Sequence, residues 1–217
     1  MSSSDCFKPV VTKNFRNHFF VTTFFSTFAV KLLNRDIVMS RITINGKSFE
    51  TSMPEAQIKW RVKELAQQIS RDMEGKNPLF LAVLNGAFIF AADLMREMTI
   101  PCEISFVKLA SYQGTTSTGK IKEVMGINED LSGRHVIILE DIVETGLTIK
   151  QMKESLGTRN PASVSVCTLF FKPERLQEDL KLDYVAFEIP NDFILGYGLD
   201  FDQQGRGLKD LYTLVKE

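Results

Sequence analysis

The chain has 217 residues, 44% hydrophobic and 24% charged, with 26 Lys/Arg against 27 Asp/Glu. That length suits one domain with a substantial core, and a net charge of -1 argues against nucleic acid or an anionic membrane as the main partner. Three scattered cysteines (Cys6, Cys102, Cys167) make neither a disulfide framework nor a Cys-x-x-Cys spacing, which fits a reducing, cytoplasmic setting, and two histidines (His18, His135) leave no multi-histidine zinc site or His-based triad.

Residues 1–38 differ in character from the rest of the chain. They hold five Lys/Arg against two Asp/Glu and a Phe/Thr-rich run, "FFVTTFFSTFAV", from Phe19 to Val30; taking these charges from the totals leaves 21 basic and 25 acidic residues after them. Lys31 and Arg35 stand where a secretory cleavage site would need small residues, and the run is too short and too rich in threonine to span a bilayer. A transit peptide is one reading. The other is a natural start at Met39 with an upstream extension. Under both, 1–38 lies outside the domain, which occupies 39–217.

In "ITINGKSFE", Asn45-Gly46 between β-prone runs predicts a hairpin. Ser52-Met53-Pro54-Glu55 reads as a capping box with proline in the first turn, and Ile58, Val62, Leu65, Ala66 and Ile69 at helical spacing predict a helix running to about Met73. "LFLAVL" (79–84) predicts a strand, and "AFIFAADLMREM" (87–98) a helix separated from it only by Asn85-Gly86. Strands are expected at 103–112, 135–140 and 163–171, with a helix at 148–156. Strands alternating with helices imply an α/β fold, a central mainly parallel sheet flanked by helices, with ligands bound beyond the carboxyl ends of the strands.

"GTTSTGKI" (114–121) nearly spells a nucleotide phosphate loop. Ile121 replaces the required hydroxyl, and no helix pattern comes after it, so the stretch reads as a connecting loop of the kind that closes over a site. "VIILEDIVETGLTIK" (136–150) has the better architecture: an apolar strand, two acids, a third acid, then Thr-Gly-x-Thr opening a helix. Backbone amides from Glu144 through Thr145, Gly146 and Leu147 to Thr148, with the Thr145 and Thr148 hydroxyls, can surround a phosphate at the positive end of that helix. Glu140 and Asp141 would repel the phosphate itself, but they suit the hydroxyls of a neighbouring ribose.

This stretch resembles the phosphoribosyl pyrophosphate (PRPP) signature of the type I phosphoribosyltransferases. "VLNGAF" resembles the pyrophosphate loop of the family's hypoxanthine-guanine branch, "KLASYQGTTSTGKI" its catalytic lid, and "FEIPNDFILGYGLDFDQQGRGLKDLY" (187–212) its purine hood. The resemblance covers Ser40 to Glu217. It implies transfer of the phosphoribosyl group from PRPP to N9 of hypoxanthine or guanine, in a homodimer or homotetramer that takes small-molecule substrates and no nucleic acid or membrane.

The resemblance also implies roles for individual residues. Leu84, Asn85 and Gly86, with a cis peptide between the first two, would bind PRPP together with Arg206. Lys172, Phe193, Ile194 and Leu199 would bind the purine: Lys172 through O6, Phe193 by stacking, Ile194 through its backbone. Glu140, Asp141 and Asp200 would hold magnesium, Ser111 and Tyr112 would close near the pyrophosphate, and Glu144 would take the N7 proton. The family usually has aspartate at that last position. Two rivals keep the same phosphate loop: a PRPP-responsive regulator, and an enzyme for another base.

Overall fold

A computed structural model describes residues 40–111 and 121–216. The extension expected at 1–38, Tyr112 and most of the "GTTSTGKI" loop lie outside the described residues. A hairpin opens the described chain, β1 (Arg41–Ile44) and β2 (Lys47–Met53), turning at Asn45 and Gly46, both with positive φ. Helix α1 (Glu55–Asp72) comes next. Its buried stripe of Ile58, Val62, Leu65, Ala66 and Ile69 is the one the spacing predicts, and the four larger side chains contribute about 1.5–3 kcal/mol each on burial.

The capping box does not form. Ser52 is drawn into β2, where its hydroxyl donates to the Leu211 carbonyl, and Pro54 takes the N-cap position without a side-chain acceptor. Asp210 supplies the missing acceptor from across the fold, taking the Glu55 N–H at 2.8 Å. A carboxylate at a helix N-terminus meets an orphan donor and the positive end of the dipole together, whatever its place in the chain.

The remaining elements are β3 (Leu79–Leu84), α2 (Phe88–Glu97), β4 (Glu103–Ser111), β5 (Ile121–Met125), β6 (His135–Val143), α3 (Leu147–Gly157), β7 (Ser163–Phe171), β8 (Tyr184–Glu188), β9 (Ile194–Leu195) and β10 (Leu211–Leu214). Six strands form the main sheet in the order β5-β4-β3-β6-β7-β8. Five of them run parallel, with β5 antiparallel at one edge. One face carries Phe80, Ala82, Ile137, Leu139, Cys167 and Leu169 under α1 and α2; the other carries Leu81, Ile138 and Val166 under Ile149, Met152 and Leu156 of α3. A second, antiparallel sheet in the order β1-β2-β10-β9 joins the two ends of the described chain. Among the described residues no helix is long and apolar enough to cross a membrane.

The strand readings need correction. The sequence ends β6 at residue 140, but the strand runs on to Val143, because β7 keeps pairing with it through Ile142↔Phe170 and Val143↔Phe171. Strands β9 and β10 were not anticipated, and neither was β8. Its outer edge is closed by Arg61, whose guanidinium donates to the Ala186 and Val185 carbonyls at 2.9 Å each, a contact that spans 124 and 125 residues of sequence.

Candidate active site

The topology fixes where a crevice must open. From β3 the chain passes through α2 to β4 on one side; from β6 it passes through α3 to β7 on the other, so the reversal point lies between β3 and β6. Their pairing ends at Ala82↔Leu139, which leaves Glu140–Val143 with a neighbour on one edge only. A cavity of about 370 Å³ lies there, lined by Leu84, Leu109, Glu140, Ile142, Glu144, Thr145, Gly146 and Thr148 among others.

The residues expected to form a phosphate loop lie together between the end of β6 and the start of α3. Gly146 (φ +82) is the N-cap of α3 and brings no side-chain cap, and the Leu147 N–H makes only a long hydrogen bond, 3.5 Å, to the Thr145 hydroxyl, so the first turn can present amides to an anion. Behind the loop, the Gln177 N–H donates to the Thr145 carbonyl at 3.1 Å. Leu147 itself turns outward and is exposed.

Glu140 and Asp141 are both buried. Burial, and then the charge of Asp141, hold the Glu140 carboxyl well above the usual carboxylate range, and its Oε2 has no hydrogen-bond partner. Burial also raises Asp141, which is partly stabilised by the Ile142 N–H at 2.9 Å and by the Arg206 charge. The two carboxyls are neighbours on β6 and interact directly. Glu140 faces the cavity, and Asp141 lies beneath the Leu84–Gly86 turn, where a Cβ on Gly86 would stand 1.6 Å from its Oδ2. The Leu84–Asn85 peptide is cis, as expected.

The second sheet supplies the opposite wall. A Cβ on Gly198 would stand 2.1 Å from the Gly86 carbonyl oxygen, so the two segments touch backbone to backbone. Arg206 donates to the Gly198 carbonyl at 2.9 Å and pairs with Asp200 at 2.7 Å, which brings the expected pyrophosphate contact and the expected metal carboxylate to the same wall. Tyr197 ties this wall to α2, its hydroxyl donating to Asp93 at 2.6 Å. Nothing in the sequence marks that pair beyond the Gly196-Tyr197-Gly198 triplet, all three with positive φ.

Lys172 is buried, and its ammonium pairs with the carboxylate of Glu144, which lines the cavity. Phe193 is 45% exposed, a large apolar ring left open. The Leu214 N–H donates to the Phe193 carbonyl, and Ile194 faces Thr213 across β9 and β10. That register makes Ile194 a non-hydrogen-bonded pair, so its own N–H and C=O point to the open edge of β9, where they can read a ligand's edge. Leu199 is buried beneath them. Ser111 is the last residue of β4.

The phosphoribosyl transferase domain family matches residues 54–202, and this chain belongs to that family. Relatives narrow the class. The chain is 40% identical over 162 residues to the hypoxanthine phosphoribosyltransferase of Salmonella typhimurium, a match covering 73% of this chain and 91% of the relative. It is 39% identical over 165 residues to the hypoxanthine-guanine phosphoribosyltransferase of Mycobacterium tuberculosis, covering 73% and 82%. Among solved structures, a hypoxanthine-guanine phosphoribosyltransferase of Bacillus anthracis with a HEPES molecule in its active site superposes with a TM-score of 0.73 at 42% identity, covering 76% of this chain and 98% of that one.

Proposed function

We propose that the chain is a purine salvage transferase that moves the 5-phosphoribosyl group of PRPP to N9 of hypoxanthine and guanine, releasing the nucleoside 5'-monophosphate and pyrophosphate. The observation that carries this reading is the pairing of Lys172 with Glu144, a residue that lines the cavity beside β6. A 6-oxopurine presents O6 and N7 side by side on one edge. An ammonium that donates to O6 beside a carboxylate that accepts from N7–H matches that edge, and a 6-aminopurine would set a donor against Lys172.

In the reaction N9 bonds to ribose C1 as the bond from C1 to the pyrophosphate oxygen breaks, and the N7 proton passes to Glu144. The amides of 144–148 hold the 5'-phosphate, while Leu84, Asn85, Gly86 and Arg206 face the leaving group. Phe193 stacks on the base, the Ile194 backbone and Leu199 complete its pocket, and Ser111 and Tyr112 close near the pyrophosphate to keep water out.

The donor set suits magnesium, which takes oxygen ligands and commonly binds through one or two carboxylates plus substrate phosphates. The unpartnered, buried Oε2 of Glu140 is such a donor, and Glu140, Asp141 and Asp200 are the residues that would hold the ion. When bound, it supplies charge neutralisation on the diphosphate.

Following pyrophosphate release from PRPP and magnesium with hypoxanthine, guanine, xanthine, adenine and uracil tests the reading. Turnover of the first two is expected; product from none would favour a PRPP-responsive regulator, and product from uracil alone an enzyme for another base. Residues 1–38 lie outside the catalytic unit in this reading, so a chain beginning at Met39 keeps full turnover. The family resemblance supports assembly as a homodimer or homotetramer, and the scarcity of cysteine supports a cytoplasmic location.

A further inference from the structure

The β1–β2 hairpin precedes the matched family domain, which begins at residue 54, and none of the roles assigned above falls on it. Its side chains nevertheless reach the base site. The fully buried Phe49 ring lies 6.2 Å from Phe193 and 6.0 Å from Phe201, and Phe201 meets Phe193 edge-on, at 5.4 Å and 80°. Of these three rings only Phe193 presents substantial surface to solvent. It sits next to a two-residue edge strand, where backbone pairing does little to fix its χ angles, so its plane is set by the two rings behind it.

Phe201 is in turn held from two directions. Within its own turn the Phe201 N–H donates to Gln204 and the Gln204 N–H returns to Phe201, while Asp200 accepts the Gln203 N–H at 2.8 Å. From the hairpin, Asn45 Nδ2 donates to the Phe201 carbonyl at 3.2 Å, and Lys47 Nζ stands 5.2 Å from the centroid of the Phe201 ring. The hairpin therefore grips Phe201 at both backbone and ring, and Phe201 orients Phe193.

We propose that Phe201 is a positioning residue for purine binding, and that the β1–β2 hairpin, through Asn45, Lys47 and Phe49, is the buttress that fixes it. This rests on Phe193 being the stacking surface for the base. A Phe193 ring free to tilt loses its face-on contact with the purine in ground state and transition state alike, so the effect falls on base affinity and leaves PRPP untouched.

The test is steady-state kinetics on the full chain with Phe201→Leu, Phe201→Tyr and Lys47→Ala. Phe201→Leu should raise the KM for hypoxanthine about three- to tenfold, the range an aromatic pair is worth, with kcat and the KM for PRPP within about twofold of the parent. Phe201→Tyr, which keeps the ring, should stay within about twofold in every parameter. An unchanged hypoxanthine KM in Phe201→Leu, an equal rise in both KM values, or a Phe201→Tyr enzyme as impaired as Phe201→Leu would overturn the proposal. If Phe201→Leu does not fold, the exposed Lys47→Ala decides: a rise of about three- to fivefold in the hypoxanthine KM alone supports the buttress, and a change within about twofold overturns it. Parent enzyme that turns over no purine would overturn the function reading and this inference with it; normal parent turnover with unshifted variants overturns the inference alone.

Discussion

Replacing Lys172 with methionine keeps the stem and removes the charge. The side chain is 6% exposed and its only side-chain partner among the described residues is Glu144, itself 38% exposed. Removing one member of a fully buried ion pair costs about 3–5 kcal/mol. Because Glu144 can rehydrate, we expect a smaller loss of about 1–2 kcal/mol, or a few degrees in Tm for a chain of this size. The kinetic loss should be larger and specific. A hydrogen bond from a charged donor is worth about 1.5–3 kcal/mol, so kcat/KM for hypoxanthine should fall about 10- to 150-fold while the KM for PRPP stays within about twofold. Initial rates at saturating PRPP with hypoxanthine varied, and the reverse arrangement, separate the two effects. An unchanged hypoxanthine KM in a folded Lys172→Met enzyme would refute the O6 assignment, and an equal loss for both substrates would refute the separation of base and phosphate sites.

Glu144→Gln retains the shape and hydrogen-bonding reach of the side chain but cannot take a proton, so kcat should fall about 10²- to 10⁴-fold with little change in hypoxanthine KM; unaltered turnover would remove its role as base. Gly198→Ala sets a Cβ 2.1 Å from the Gly86 carbonyl oxygen at a φ of +105, and such backbone strain costs about 1–3 kcal/mol. The wall should retreat and the KM for PRPP rise about tenfold or more, measured alongside Tm; a variant with the parent's Tm and KM would show that the contact is not needed. Glu140 has a folded-state pKa raised by burial, so it contributes stability that is fully present below its ordinary value near 4.5 and is lost as pH rises through the raised value. In chelator at neutral pH Glu140→Gln should therefore melt higher than the parent, with the difference vanishing near pH 4, while turnover assayed with magnesium collapses; a pH-independent difference would refute the burial argument.

Sequence order was enough for most of what is local. The Asn45-Gly46 turn, the stripe of α1, the apolar runs of β3, β6 and β7 and the Thr-Gly-x-Thr start of α3 are each written within about twenty consecutive residues, because hairpin turns, helix periodicity and helix N-termini are set by near neighbours. The same locality made the strand and helix start of the expected phosphate loop readable, since strand, acids and helix start succeed one another without interruption. Tertiary structure decided what depends on residues far apart in the chain meeting: Asp210 capping α1 in place of Ser52, Arg61 closing β8, β6 extended by its partner β7, Gly198 lying on Gly86, and the hairpin gripping Phe201 behind Phe193. A carboxylate or an aromatic ring carries no mark of which distant backbone it will meet. Those contacts form only when the two sheets close together, and their geometry sets the width of the crevice between loop and wall.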